Sequence, residues 1–188
     1  MSRKIVALIA FAGLCSAGFS LMAKAQEDAY AAVAQTSSGT GGKQVQFNFT
    51  ITKWSTQDEI QQLGAILKDK GQDALLDALK KLDAGRIRTL NDTGSPIALA
   101  EKWQNGDETV ITLIIARQMT LFESKYRGRT TSTDYPFGFL QVKVNAKGEG
   151  SGKAVTAAKI KYDKEKDSVR LDPYGNGATP IINVRPNK

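Results

Sequence analysis

The sequence predicts an α+β domain: a strongly bent, mostly antiparallel sheet of about eight strands, with two consecutive helices after the first strand. Three observations predict it. Apolar and polar residues alternate from Val45 to Thr52, the period lengthens to that of a helix between Ser55 and Leu82, and it returns to two after Gly85.

The first strand places Val45, Phe47, Phe49 and Ile51 on one face and Gln46, Asn48, Thr50 and Thr52 on the other. Ser55 is placed to cap the first helix, and Asp58 and Glu59 in its first turn oppose the dipole. Ile60, Leu63 and Leu67 form its apolar stripe, and Lys68, Lys70 and Gly71 supply a stop. A second helix carries Leu75, Leu79 and Leu82, with Asp73 early and Lys80-Lys81 late. Arg86 to Leu90 reads as a short strand, followed by a turn over 91–96. Ile97 to Trp103 and Glu108 to Ala116 form a hairpin signalled by Asn105-Gly106. The run Val110 to Ile115 is apolar on both faces, as expected of a strand covered on both sides. Phe137 to Asn145 and Gly152 to Tyr162 form a second hairpin, and Ser168 to Asp172 and Thr179 to Arg185 add two strands. Spacing leaves open whether the sheet closes as a barrel, which would create an interior able to hold a small ligand.

Ahead of this single domain at 44–188 lie two other segments. Residues 1–25 read as a signal peptide: Arg3 and Lys4, an apolar run from Ile5 to Leu14, then Ala23-Lys24-Ala25 before a cleavage site at Gln26. Ser16, Gly18 and Ser20 dilute the second half below the roughly 20 apolar residues of a spanning helix. Leu14 before Cys15 speaks against a lipid-attachment cysteine. Residues 26–43, rich in Ala, Gln, Ser, Thr and Gly, read as a flexible leader.

Cleavage removes Arg3, Lys4, Lys24 and no acidic residue, taking the formal net charge from +7 to +4. A surplus of that size lacks the clustered basic footprint of a nucleic-acid binder. No second segment approaches membrane-spanning length, so the processed protein is expected to have no membrane span.

The chain contains no histidine, and its single cysteine lies in the signal peptide. Ser-His-Asp and Cys-His catalysis therefore lack their base, and zinc sites built from His and Cys lack their ligands. No Ser-x-x-Lys or Walker loop is present. Gly148, Gly150 and Gly152 form a GxGxG run, but between predicted strands rather than at a helix start, so it reads as a turn. Asp163, Glu165 and Asp167 alternate like calcium-loop ligands but lack the glycine and glutamate that such a loop requires. No metal, cofactor or catalytic residue is assigned. Paired carboxylates survive these exclusions, with Asp58, Glu59, Glu101, Glu123 and Asp134 as candidates. Sequons at Asn48 and Asn91 matter only in a host that glycosylates exported proteins.

The connection from Arg117 to Pro136 is about 20 residues, long for a compact domain and hence a candidate site. Arg117, Tyr126, Arg129, Asp134 and Tyr135 are its candidate ligand-binding residues: guanidinium groups grip anions, and aromatic rings stack on a ring or sugar. The competing role is a fastened loop, with Arg129 paired to Asp134 or Glu123. Arg86 and Arg88 share a strand face, which points to solvent or to an anion between them.

The runs Ile51-Thr52-Lys53-Trp54-Ser55-Thr56, Gly71 to Leu79 and Asp134-Tyr135-Pro136-Phe137 resemble a group of uncharacterised exported bacterial proteins. The similarity covers most of residues 44–186 and implies an exported bacterial protein, with no activity to carry over. The expected function is a non-enzymatic binding or structural module of the periplasm or cell exterior. Its partner would be a small molecule or an envelope component. The alternatives are a carboxylate-based hydrolase of cell-wall or extracellular glycans and an envelope-surface attachment protein.

Overall fold

The computed structural model describes residues 27–36, 43–90, 92–119, 133–165, 167–174 and 178–187. The predicted signal peptide lies outside the described residues, as do residues 26 and 37–42 of the predicted leader.

The fold is mostly β, which corrects the α+β expectation with its two helices. Sheet accounts for 56% and helix for 17% of the described residues. All ten strands among the described residues belong to one antiparallel sheet. In chain order they are β1 (Asp28–Thr36), β2 (Lys43–Ile51), β3 (Gly85–Thr89), β4 (Ser95–Ile97), β5 (Leu99–Asn105), β6 (Glu108–Ile115), β7 (Phe137–Val144), β8 (Gly150–Asp163), β9 (Ser168–Pro173) and β10 (Thr179–Pro186). Across the sheet the order is β4-β3-β2-β1-β10-β8-β7-β6-β5, with β9 paired to the far half of β8.

The two ends of that order belong to one stretch of chain. Ser95–Ile97 pairs with β3 and Leu99–Asn105 pairs with β6, while Ala98 between them donates its N–H to the Ile114 carbonyl at 2.8 Å. The sheet thereby wraps into a nearly closed barrel. Its interior is filled by side chains, among them Phe47, Phe49, Ile87, Leu113, Leu140 and Ile181, each 0–1% exposed. Met119, just past β6, is packed into this same core and donates its N–H to the Thr156 carbonyl at 2.8 Å.

One helix, α1 (Gln57–Leu79), replaces the two expected. The two leucine stripes are real, but Gly71 adopts φ +83° and kinks the helix instead of ending it. Leu63, Leu67, Leu75 and Leu79 bury against Leu99, Phe137 and Ile160 on the outside of the barrel. Each contributes roughly 1.5–3 kcal/mol on burial. The N-cap is Thr56, one residue after the expected Ser55. Its hydroxyl accepts from the Glu59 N–H, and the Glu59 carboxylate accepts from the Thr56 N–H. Ser55 instead bonds Ala100, its N–H donating to the carbonyl and its hydroxyl accepting the N–H.

The kink aims Gln72 at β8. Its side-chain oxygen accepts the Ile160 N–H at 3.1 Å, and its side-chain nitrogen donates to the Asp134 carbonyl at 3.2 Å.

β1 occupies residues read from composition as part of the leader, and it lies mid-sheet between β2 and β10. Ala32 and Ala34 point into the core, opposite Phe47 and Val45, while Ala31 and Val33 face outward.

The GxGxG run is divided between turn and strand. Gly148 takes φ +77° in the turn, whereas Gly150 and Gly152 lie in β8 pressed against β7. A Cβ on Gly150 would sit 1.8 Å from the Lys143 carbonyl oxygen, and one on Gly152 would sit 2.1 Å from that of Gln141. These glycines serve strand approach, not phosphate binding.

Candidate functional site

The residues singled out in the Arg117–Pro136 connection are held by separate partners. Arg117 follows β6 and donates from Nε and Nη2 to the buried Ser95 hydroxyl at 3.0 and 2.6 Å. That fork fastens β4 to the end of β6. The small cleft beside it, about 170 Å³, is lined mainly by apolar groups of Leu79, Leu82, Pro96, Ala98 and Ala116. Asp134 pairs with Lys159 at 3.3 Å, and its carbonyl accepts from Gln72. Tyr135 packs edge-on to Tyr174 at 4.9 Å, and the Lys159 ammonium sits 4.5 Å from the Tyr135 ring centroid. Gln118 donates to the Tyr135 carbonyl at 3.1 Å. Each described member thus serves as a fastening. Tyr126, Arg129 and Glu123 lie outside the described residues.

Of the carboxylate candidates, Asp134 is paired as above, Asp58 and Glu59 open α1, and Glu123 lies outside the described residues. Glu59 is held below the usual carboxylate range, first by its hydrogen bond from Lys53 and then by the Thr56 N–H. Glu101 faces outward on β5 opposite Thr112, and burial pushes its carboxyl above the usual range. Among the described residues, no group of three His, Cys, Asp or Glu side chains could hold a metal ion.

A larger concavity than the cleft beside Arg117 lies elsewhere, on the outer face of β2, β1 and β10. It is a groove of about 510 Å³, within the usual size of a ligand pocket. Strand register builds it. Asn48, Ala31 and Arg185 form one row across the three strands, and Gln46 and Val33 begin the next. The small side chains of Ala31 and Val33 leave the middle strand low, while longer polar side chains rise on both flanks. One irregularity in β10, between Ile181 and Val184, shifts its register against both β1 and β8 and bends the surface there. Asn183 lies within it at φ +53°, a backbone conformation that asparagine tolerates better than most residues.

One wall of the groove carries Gln44, Gln46 and Asn48, and the other carries Asn183, Arg185 and Glu149. None of these six side chains makes a hydrogen bond or ion pair with another described residue. Four are carboxamides, which both donate and accept. Arg86 and Arg88 are exposed on the adjoining outer face of β3, across from Thr50 and Asn48. In the sequence, this wall showed only as the polar half of an alternating strand. The floor was hidden because β1 was read as leader.

Compared with protein-family models, curated proteins and solved structures, the chain finds no match.

Proposed function

We propose that this protein is a non-enzymatic binding module of the periplasm or cell exterior, and that its ligand lies in the groove over Ala31 and Val33. The supporting observation is the set of six polar side chains without partners among the described residues, gathered along one concavity. Arg117, Asp134 and Gln72, by contrast, bond to neighbours within the fold. A carboxylate-based hydrolase is less well supported, because two carboxylates must flank the scissile bond and the groove offers only Glu149.

Native mass spectrometry of the protein, purified gently after processing by its host, tests this reading. A bound species that is lost in the Gln46→Leu/Asn48→Leu variant supports it. A species retained in that variant places binding elsewhere.

Attachment to an anionic envelope surface is the second reading, favoured by Arg86 and Arg88 on β3 and Arg185 on β10, which face outward on either side of β2 and β1. Adsorption to anionic vesicles should then fall steeply with salt. Salt-insensitive or absent adsorption would remove it.

A further inference from the structure

We infer that the ligand class is an extended peptide, held in register along β2 by its amide row; this rests on the groove being the binding site. Gln44, Gln46 and Asn48 are successive outward residues of one strand, so their side chains repeat about every 6.6–6.8 Å. An extended peptide presents the N–H and C=O of every second residue on one edge, with the same repeat. A carboxamide supplies one acceptor and two donors, so each can pair with both groups of one peptide residue. The period of the row therefore matches the period of the ligand, contact for contact.

The floor favours the same guest. Asn48 and Arg185 stand two strand spacings apart, about 10 Å, with only Ala31 between them. That channel has room for a main chain lying close to the sheet. Among the described residues the groove wall offers no exposed aromatic face: Phe47, the one aromatic there, is 1% exposed and turned into the barrel. A sugar ring would lack the stacking platform that aromatics supply.

NMR titration of the protein with tetra-alanine reads this directly, through the side-chain carboxamide signals of Gln44, Gln46 and Asn48. Two further ligands are tetra-alanine N-methylated at residue 2 and at residue 3. Adjacent N–H groups of an extended chain point to opposite edges, so one methylation should weaken binding by about tenfold or more. The other should leave binding nearly unchanged. This asymmetry requires no protein variant, so folding defects do not enter. Tetra-alanine without effect on these signals, or two methylated peptides equal to the parent, would overturn the peptide assignment. Chitotetraose shifting the same signals while tetra-alanine is silent would also overturn it, yet leave the groove as the binding site. Silence from both ligands, with a bound species that survives Gln46→Leu/Asn48→Leu, would overturn the groove itself.

Discussion

The indole Nε1 of Trp54 donates a 2.9 Å hydrogen bond to Oδ2 of Asp28. It ties the first residue of β1 to the segment that leads from β2 into α1. Lys102 joins them, its ammonium 4.3 Å from the indole ring centroid and 3.8 Å from the same carboxylate oxygen. Three distant parts of the chain thus meet at one point.

Trp54→Phe keeps a ring beneath Lys102 and removes the donor. Hydrogen bonds to charged groups contribute about 1.5–3 kcal/mol. Because the bond is only partly buried, urea unfolding should show a loss near the lower end of that range. An unchanged midpoint would mean that water replaces the indole without cost.

Gln72 takes the place of a neighbouring strand at Ile160. Gln72→Leu leaves the Ile160 N–H and the Asp134 carbonyl without this partner, with an expected loss of about 1–3 kcal/mol. The Ile160 amide should exchange with deuterium faster than in the parent. Gln72→Glu, which retains the acceptor, should preserve most of that protection. Equal exchange in all three proteins would show that the bond carries no weight.

Sequence made β2 and β7 legible through an apolar face at period two, and the β5–β6 hairpin through Asn105-Gly106. The two-sided burial of β6 was legible too, since Val110 to Leu113 and Ile115 are all buried. β1 was not. Ala29, Ala31, Ala32 and Ala34 have poor strand propensity, and their place mid-sheet comes from partners in β2 and β10. The helix stripes were visible, but whether Gly71 ends a helix or bends it depends on the barrel surface on which both halves pack. The groove was beyond sequence pattern altogether, because it arises from register between β2, β1 and a β10 about 150 residues downstream.

Gly150→Ala should fail to give a folded protein, or should unfold far below the parent temperature, because the added carbon meets the Lys143 carbonyl oxygen. Gly106 provides the contrast. It lies in the tight turn between β5 and β6 at φ +64° with open space around it. Gly106→Asn should therefore cost little, since asparagine is the side chain most at ease there. Comparable thermal melts for both variants would contradict the close approach at Gly150.

The Glu101 carboxyl is raised by burial, so the folded state favours its protonated form. That contribution is fully present below the unfolded-state pKa and is lost as pH rises through the folded-state pKa. Glu101→Gln should consequently melt slightly higher than the parent at pH 7, on the order of 1 °C for a half-solvated group. The advantage should vanish at pH 3. A gain that persists at pH 3 would come from the amide itself and not from the removed charge.

β1 and β10 lie side by side, and the Asn187 N–H reaches back to the Ala29 carbonyl at 2.9 Å. The barrel cannot be completed until residues near 186 are available, because a strand in the middle of the sheet waits for the far end of the chain. Such high contact order implies slow closure. The same adjacency makes the protein suited to circular permutation: a short linker from 187 to 28, with new ends opened at the Gly106 turn, should preserve the groove while making the β1–β10 contact local.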